Sequence, residues 1–575
     1  MSEPTPLWQR GDRMSTVDVP IPRPWTISPD GGRAICRDNV PVLLVGGQLF
    51  NSSSSSAKSI TDAFAHVRRM NGNVALAPVS WALMEPDENT FDFTLVDRML
   101  EEARRNDLRL VLLWFGGFKN AGSGYTPRWV RADTERFPRA VIEPRGQQAF
   151  SYEGATAKPV LSVFSDALRQ ADARAFEAFL HHLVEADPDG VVAMIQVENE
   201  TGILRDSRDR GPLAEESWNG PVPADLISHL RAAPADSSLA RRLWEAQGSK
   251  STGSWPDVFG ASSASDEVFM AWAFATYVEY VAARGRAIAD VLMYANAWLG
   301  PQPGQLEPGQ YPSGGPGSRV LDVWRAAAPS LALLGPDIYI DEGDEAMRVY
   351  ANGTQPFFVP ESRPIAGELV RAIGRYGAIG WSAFGVDGAN PDGQVAATMK
   401  YLTALEEQVA SAQIAGRVGA FVIENGVELL NVQIDGVDIT ARGTLALLQH
   451  MLLDAGVRIP DPDLVLPEET LPGAPVPSPA DKRPFGLVVG GGDGSFLVIG
   501  QGLTLDFFQV GGRIEIDSVE EILIEGGCAV VGQVLNGDER LRVLPTDRVG
   551  AARIRLAMIG QDHADTTHSR HVKAG

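Results

Sequence analysis

The sequence predicts an α/β protein, a (β/α)8 TIM barrel followed by a β-sandwich-like C-terminal domain. Eight short apolar runs alternate with helical patterns between about residues 40 and 412. After residue 413 the segments become short and are broken by Gly, Asp and Asn, which is typical of antiparallel strands. The 575 residues also exceed what a single core supports, about 250–300 residues. A doubly wound open sheet is the alternative, because alternation alone does not show closure.

The apolar runs have the length of fully buried parallel strands. In chain order they are Val42–Gly47, Asn73–Val79, Arg109–Phe115, Val191–Val197, Val291–Asn296, Leu333–Ile340, Pro356–Pro360 and Ala378–Phe384. Helical patterns cover residues 58–70, 94–106, 169–186, 265–289, 320–328, 365–375 and 395–411.

Two insertions follow predicted strands, one polar (201–264) and one rich in Gly and Pro (300–319). In a barrel they would lie at the C-terminal rim, where loops build active sites.

These patterns divide the chain into four parts. We expect an N-terminal extension at 1–29, a catalytic barrel at 30–412, a β-rich accessory domain at 413–560 and a flexible tail at 561–575. Within the accessory domain, one helix is expected near 441–455 and a Pro-rich linker at 459–484.

Charge and cysteine content narrow the function classes. The formal charge is 50 − 73 = −23, which disfavours nucleic acid and anionic membranes as partners. Cys36 and Cys528 lie far apart, so neither a disulfide framework nor a cysteine metal cluster is expected, and no metal or cofactor is predicted. The N-terminal residues lack the apolar core of a secretory signal, so we expect a cytoplasmic protein; a homo-oligomer is compatible with the sequence.

Two glutamates end predicted strands. Asn199 and Glu200 follow the fourth run, and Glu361 follows the seventh, with Arg363 near enough in sequence to hold Glu361 ionised. A rim pair with one protonated and one ionised carboxyl group is what glycoside cleavage requires. Taken singly, Glu200 would instead cap a helix or pair with an arginine, and Glu361 would form a structural ion pair with Arg363.

Several motifs together resemble the clan A barrel glycosidases, and most of all glycoside hydrolase family 35, the β-galactosidases. They are Trp81-x-x-x-Glu85-Pro86, Phe91-Asp92-Phe93, Gln196-Val197-Glu198-Asn199-Glu200 and the later Glu361, over roughly residues 30–410. The resemblance implies that Glu200 is the acid/base and Glu361 the nucleophile. Gln48 of Gly46-Gly47-Gln48 stands where the family has Glu. The last 160 or so residues resemble a poorly characterised β accessory domain found behind some of these barrels.

After the third run the chain departs from the family. Trp114-Phe115-Gly116-Gly117-Phe118-Lys119-Asn120 replaces the usual Pro-Gly-Pro-Tyr run and its later acidic sugar ligand, so Lys119 and Asn120 are expected to bind sugar hydroxyls. We expect this lysine, at the rim, to bury little surface.

Aromatic rings near strand ends are candidate sugar platforms, although each ring taken alone is more often part of core or rim packing. The predicted substrate-binding residues are Gln48, Asn51, Trp81, Lys119, Asn120, Asn199, Trp298, Tyr339 and Trp381.

The sequence thus predicts a retaining exo-β-glycosidase, with a terminal β-D-galactoside as the expected substrate and hydrolysis by double displacement. Three alternatives stay open. They are a clan A hydrolase for another β-glycoside (glucoside, xyloside or arabinoside), a non-catalytic carbohydrate-binding barrel, and a structural scaffold that assembles through its β domain.

Overall fold

The chain forms two compact units. The first comprises residues 1–364 and 376–399, and the second comprises residues 365–375 and 400–575. The computed structural model describes residues 20–28, 34–142, 159–235, 237–341, 343–353, 355–424, 429–444, 447, 451, 455–456, 483–509 and 513–559. The helical segment 365–375, which we placed in the barrel, therefore belongs to the second unit. The other domain boundaries stay predictions.

A small antiparallel sheet precedes the barrel. Its strands are β1 (Trp25–Ile27), β2 (Ile35–Arg37) and β3 (Val40–Val42). The Trp25 indole is buried and donates a hydrogen bond of 2.8 Å to the carbonyl oxygen of Gly190, just before the fourth barrel strand. The sheet thus packs at the N-terminal end of the barrel. The sequence analysis did not predict this sheet, because strands of three residues carry almost no hydrophobic pattern.

Parallel strands form the core of the first unit, and every predicted apolar run overlaps one of them. They are β4 (Leu44–Gln48), β5 (Val74–Ser80), β6 (Arg109–Lys119), β7 (Val192–Asn199), β8 (Leu292–Trp298), β9 (Leu333–Ile338), β10 (Phe358–Val359), β11 (Glu361–Ser362) and β12 (Gly380–Phe384).

The sheet closes on itself. β10 pairs with β12, and β11 pairs with β9, while Pro360 separates β10 from β11. Because proline has no N–H to donate, the hydrogen bonding of this strand is interrupted at Pro360. Counted as one strand, β10 and β11 complete an eight-stranded barrel, which confirms the predicted fold.

Helices follow the barrel strands in chain order. They are α1 (Ala57–Arg69), α2 (Trp81–Met84), α3 (Thr94–Arg105), α4 (Arg128–Ala132), α5 (Asp166–Ala186), α6 (Pro212–Asn219), α7 (Ala224–Ala232), α8 (Leu239–Ala246), α9 (Trp255–Phe259), α10 (Ser263–Arg286), α11 (Leu321–Ala327), α12 (Gly343–Tyr350), α13 (Ala366–Gly374), α14 (Gln394–Ala404) and α15 (Glu406–Ile414). Within the described residues, no helix combines the length and the apolar character needed to cross a membrane.

The polar insertion after β7 is more ordered than its composition indicates. It holds the four short helices α6 to α9. Ser254 and Asp257 form a capping box at the start of α9, and Trp255 on that helix is fully buried. Helices this short depend on tertiary packing more than on local periodicity, so the sequence pattern did not reveal them.

The second unit is rich in antiparallel strands, as predicted. They are β13 (Val418–Val422), β14 (Leu430–Ile434), β15 (Val437–Gly443), β16 (Phe485–Gly490), β17 (Ser495–Gln501), β18 (Leu503–Phe508), β19 (Arg513–Glu525), β20 (Cys528–Val534) and β21 (Gly550–Ile559). A six-stranded sheet has the order β13-β16-β17-β21-β19-β20, and a three-stranded sheet has the order β14-β15-β18. Side chains of both sheets, such as Ile439 and Val498, share one apolar core.

One prediction in this unit was wrong at its start. Residues 441–443, expected to begin a helix, complete strand β15, where Ala441 pairs with both β14 and β18. Most of the remaining segment to 455, most of the Pro-rich linker and the tail after 560 lie outside the described residues.

Candidate active site

A cleft of about 430 Å³ opens at the C-terminal ends of the barrel strands. Both predicted catalytic carboxyl groups line it, and so do four of the predicted substrate-binding residues. The lining residues are Asn51, Lys119, Asn120, Gly124, Tyr125, Pro159, Glu200, Tyr339, Glu361 and Phe384. The volume falls within the range typical of small-molecule sites, about 300–1,000 Å³. The closed barrel therefore brings together Glu200 and Glu361, which are 161 residues apart in the sequence (361 − 200).

Glu361 is buried and held by two hydrogen-bond donors. The Gln48 side-chain amide donates to Oε1 at 2.8 Å, and the Tyr339 hydroxyl donates to Oε2 at 2.7 Å. Burial of the Tyr339 hydroxyl, together with the Glu361 charge, raises the pKa of Tyr339, so this hydroxyl stays a neutral donor. Both carboxylate oxygens are thereby fixed in orientation.

Arg363 does not take the role expected for it. Its guanidinium donates to the carbonyl oxygen of Ile340 at 3.0 Å and to Oδ1 of Asp341 at 2.6 Å. In a regular strand, residues two apart point to the same face. Arg363 lies beyond β11, which ends at Ser362, so it need not point to the same face as Glu361. The sequence distance from Arg363 to Glu361 was therefore a poor guide.

Glu200 lies just beyond β7 in an unusual backbone conformation. Its φ is 44°, and that of Glu198 is 61°, both in the left-handed region that glutamate seldom adopts. The Glu200 amide donates to the side-chain oxygen of Asn296 at 2.9 Å, and its carbonyl oxygen accepts from the Ala121 amide at 3.1 Å. Such strain persists only where surrounding contacts enforce it, and it concentrates at functional sites.

Asn199 connects Glu200 to the loop after β6. Its side-chain amide donates to Oδ1 of Asn120 at 3.0 Å, and its Oδ1 accepts from Gln196 at 3.0 Å and from Asn296 at 3.3 Å. Asn199 is fully buried and is absent from the cleft lining within the described residues. Its contact with a sugar hydroxyl stays a prediction; the contacts seen here orient the loop.

Lys119 is more buried than the sequence indicated. Only 7% of it is exposed, and its Nζ lies 4.4 Å from the centroid of the Phe115 ring. The expectation that a rim lysine buries little surface was therefore wrong, because β6 extends to Lys119 itself and carries it inward. The lysine still lines the cleft, where it can meet a ligand.

Asp337 is a third carboxyl group beside the pair, and the sequence analysis missed it. It is 2% exposed, pairs in register with Glu361 across β9 and β11, and accepts a hydrogen bond of 2.7 Å from Asn296. Burial, and then the charges of Glu361 and Glu200, raise the pKa of Asp337 well above its usual range. A charged residue within the apolar run Leu333–Ile340 was the available signal.

A second buried carboxyl pair, Glu198 and Asp172, supports the β6 segment. Glu198 accepts from the amides of Gly117 at 3.0 Å and Phe118 at 2.7 Å, while Asp172 accepts from Gly117 at 2.9 Å and from the Tyr277 hydroxyl at 2.7 Å. Burial, and then the neighbouring Asp172 charge, raise the pKa of Glu198 well above normal. The pair satisfies backbone amides where the β6–β7 register shifts, so it shapes the loop that carries Lys119.

The space for these carboxyl groups depends on Gly116 and Gly117. A Cβ added at Gly116 would lie 2.6 Å from Oε1 of Glu198, and one at Gly117 would lie 2.9 Å from Oδ2 of Asp172. Glycine is therefore required at both positions, because any side chain there would collide with one of the buried carboxyl groups.

The predicted tryptophan platforms lie away from the described cleft lining. Trp81 and Trp381 are fully buried, and the Trp81 indole donates to Glu85 at 2.7 Å. Trp298 is partly buried and donates to Gln305 at 3.3 Å. Their role in sugar stacking stays a prediction, whereas Tyr339, Tyr125 and Phe384 are the rings that line the cleft.

Asn51 and Gln48 offer polar atoms near the cleft. Oδ1 of Asn51 and Oε1 of Gln48 are buried, and neither has a hydrogen-bond partner within the described part of the chain. Buried acceptors of this kind normally find a partner, and in a ligand cleft a sugar hydroxyl can supply it.

Two family models match parts of the chain. The glycoside hydrolase 42 family model, described as "Beta-galactosidase", matches residues 50–225, a range that contains Glu200 and the β6 loop. This part of the chain is therefore similar to a glycoside hydrolase domain. A second model, described as "Domain of unknown function (DUF5597)", matches residues 395–544, which overlap most of the second unit. The search of curated proteins gave no match.

The solved structures with some similarity to this chain have low sequence identity to it. A beta-galactosidase from Bacillus circulans sp. alkalophilus is 14% identical with a TM-score of 0.43, and the match covers 65% of this chain and 57% of that one. A beta-galactosidase from the Antarctic haloarchaeon Halorubrum lacusprofundi is 15% identical with a TM-score of 0.41, covering 67% and 60%. The catalytic domain of a beta-amylase from Paenibacillus polymyxa is 10% identical with a TM-score of 0.42, covering 61% and 94%. The match thus spans less than two thirds of either beta-galactosidase.

Proposed function

We propose that this protein is a glycosidase, and specifically a retaining exo-β-galactosidase of clan A, related to glycoside hydrolase family 35, that removes terminal β-D-galactosyl residues. The observation that supports this most is the shared cleft of Glu200 and Glu361, in which two neutral donors hold Glu361. A carboxylate with both oxygens fixed by neutral donors is suited to nucleophilic attack. The family description as beta-galactosidase supports the choice of sugar.

In the proposed first step, the Glu361 carboxylate attacks the anomeric carbon and the bond to the leaving oxygen breaks. Glu200 gives its proton to that oxygen, and a galactosyl ester of Glu361 forms. In the second step, Glu200 takes a proton from water, whose oxygen attacks the anomeric carbon. Galactose leaves with its original configuration, and the Glu361 carboxylate is regenerated.

Glu361→Gln should abolish turnover of every substrate, because the nucleophile is gone. Glu200→Ala should still form the ester from a dinitrophenyl galactoside, whose leaving group needs no proton, and azide should then release a β-galactosyl azide. The assays are steady-state kinetics and NMR of the azide product. If Glu361→Ala were the variant that azide rescues to a retained product, the two roles would be reversed.

Sugar identity has its own test. Nitrophenyl β-galactoside, glucoside, xyloside and arabinoside should be compared by kcat/KM, with early-time NMR of the sugar released from the best substrate. Preference for galactoside with retained configuration is expected. A higher kcat/KM for one of the other three glycosides would leave the glycosidase assignment intact and replace galactose.

A further inference from the structure

Phe50 is an exposed aromatic ring at the barrel rim. It follows the buried end of β4 by two residues, and 46% of it is exposed, whereas the preceding Leu49 is fully buried. A single exposed apolar residue needs no explanation by itself. The packing of this ring and its position beside the cleft are what set it apart.

The Phe50 ring packs against the backbone of two glycines, which have no side chains. A Cβ added at Gly385 would lie 2.5 Å from Cε1 of Phe50, and one added at Gly388 would lie 2.8 Å from Cε2. The ring therefore packs directly on these two glycines. In addition, the Phe50 amide donates to Asp387 at 3.0 Å, which fixes the backbone that carries the ring.

Three aromatic rings form a row from the nucleophile outward. Tyr339, whose hydroxyl binds Glu361, packs edge-on against Phe384 with centroids 6.3 Å apart. Phe384 packs edge-on against Phe50 at 5.6 Å. Tyr339, Phe384 and Asn51 line the cleft, and Phe50 stands at the outer end of the row.

We propose that Phe50 is a stacking platform for a pyranose ring of the leaving group, the sugar next to the one that is cleaved. This inference rests on the proposed function. Sugar rings present C–H faces that pack on aromatic rings, and a ring already held in place loses little entropy when the sugar binds. Because Phe50 stands at the rim and not beside Glu361, the sugar that stacks on it is the second sugar of an oligosaccharide and not the one bound at Glu361.

The test compares a β-linked galactosyl disaccharide with β-galactosyl fluoride, whose leaving group is too small to reach the rim. The ratio of kcat/KM for the disaccharide to that for the fluoride should fall about 2- to 13-fold in Phe50→Ala, an effect of the size expected for losing a contact between two aromatic rings. Phe50→Leu, which still fills space against Gly385, should lower the ratio by a similar factor. Phe508→Ala is the matched control, because Phe508 is 56% exposed in the second compact unit, and it should keep the wild-type ratio.

The outcomes separate the two proposals. A wild-type ratio in both Phe50→Ala and Phe50→Leu, with both substrates hydrolysed, would overturn the platform and leave the galactosidase standing. A fall seen for nitrophenyl galactoside but not for the disaccharide would assign the ring to aromatic leaving groups and also overturn it. Failure of the wild-type enzyme to hydrolyse either galactosyl substrate would instead refute the proposed function.

Discussion

Gln48 gives a sharp test of how Glu361 is prepared for attack. The resembled family has Glu at this position, but here a neutral amide donates to the Glu361 carboxylate at 2.8 Å. Gln48→Met keeps the length of the side chain and removes the donor. The Glu361 carboxylate then loses one of the two donors that fix its orientation, and misplacing a reacting group costs up to about 100-fold in rate, so the attack should slow about 10- to 100-fold.

The assay should isolate that attack from the proton transfer by Glu200. A 2-deoxy-2-fluorogalactoside with a dinitrophenyl leaving group traps the ester, and the rate of inactivation then reports Glu361 alone. The Tyr339 donor remains in the variant, which keeps the carboxylate within the site. An inactivation rate in Gln48→Met within twofold of wild type would refute the claim that Gln48 orients the nucleophile.

Gln48→Glu extends the same prediction to pH. A carboxyl group at position 48 would face the Glu361 carboxylate where the Gln48 amide now donates, and two adjacent carboxylates repel, so the variant pair should hold one proton at lower pH. That proton replaces the lost donor at lower pH and leaves as the pH rises through the raised pKa of the pair. The ratio of inactivation rates, Gln48→Glu over Gln48→Met, should therefore be high at pH 6 and fall by pH 9. A ratio that does not depend on pH would contradict this reasoning.

Two further predictions concern Lys119 and Asp337. Lys119→Met keeps a buried apolar stem and removes the ammonium that lies over Phe115, so kcat/KM for a galactoside should fall about 10- to 100-fold with little change in Tm. An unchanged kcat/KM would make Lys119 a packing residue. Asp337→Asn mimics the protonated carboxyl group that the raised pKa indicates. A carboxyl group with a raised folded-state pKa stabilises the fold at low pH, and this contribution is lost as pH rises through that pKa. The Tm of Asp337→Asn relative to wild type should therefore increase with pH, and a difference that stays constant in thermal melts from pH 5 to 9 would show that Asp337 is already ionised.

The barrel strands could be predicted because a buried parallel strand is apolar on both faces. Runs such as Arg109–Phe115 and Val191–Val197 carry that signal in a few residues, and strand order then follows from the chain. The position of Glu200 and Glu361 in one cleft could be predicted for the same reason, since a carboxyl group directly after such a run must emerge at the C-terminal rim. The roles proposed for Glu200 and Glu361 come from the family resemblance, because strand position alone does not distinguish them.

The remaining parts of the site depend on contacts that no sequence pattern encodes. β6 runs four residues past its predicted end, to Lys119, because Glu198 and Asp172 satisfy the backbone amides of its irregular segment. In the sequence, nothing distinguishes Glu198 from the other residues of the strand that leads to Glu200. Its partner Asp172 lies on α5, and only the folded chain brings the two together.

The exposure of the aromatic side chains could not be predicted from the sequence either. Trp81 and Trp381 are conspicuous in the sequence, yet both are fully buried, while Phe50 and Phe384 are exposed or half-exposed at the rim. Residue type predicted that aromatic rings would lie at strand ends, but exposure depends on which neighbours are small. Gly385, with a φ of 66°, lets Phe50 settle on the backbone. The surface offered to a sugar is therefore determined as much by small residues as by large ones, and a search for platforms in related chains should include the glycines that follow the last barrel strand.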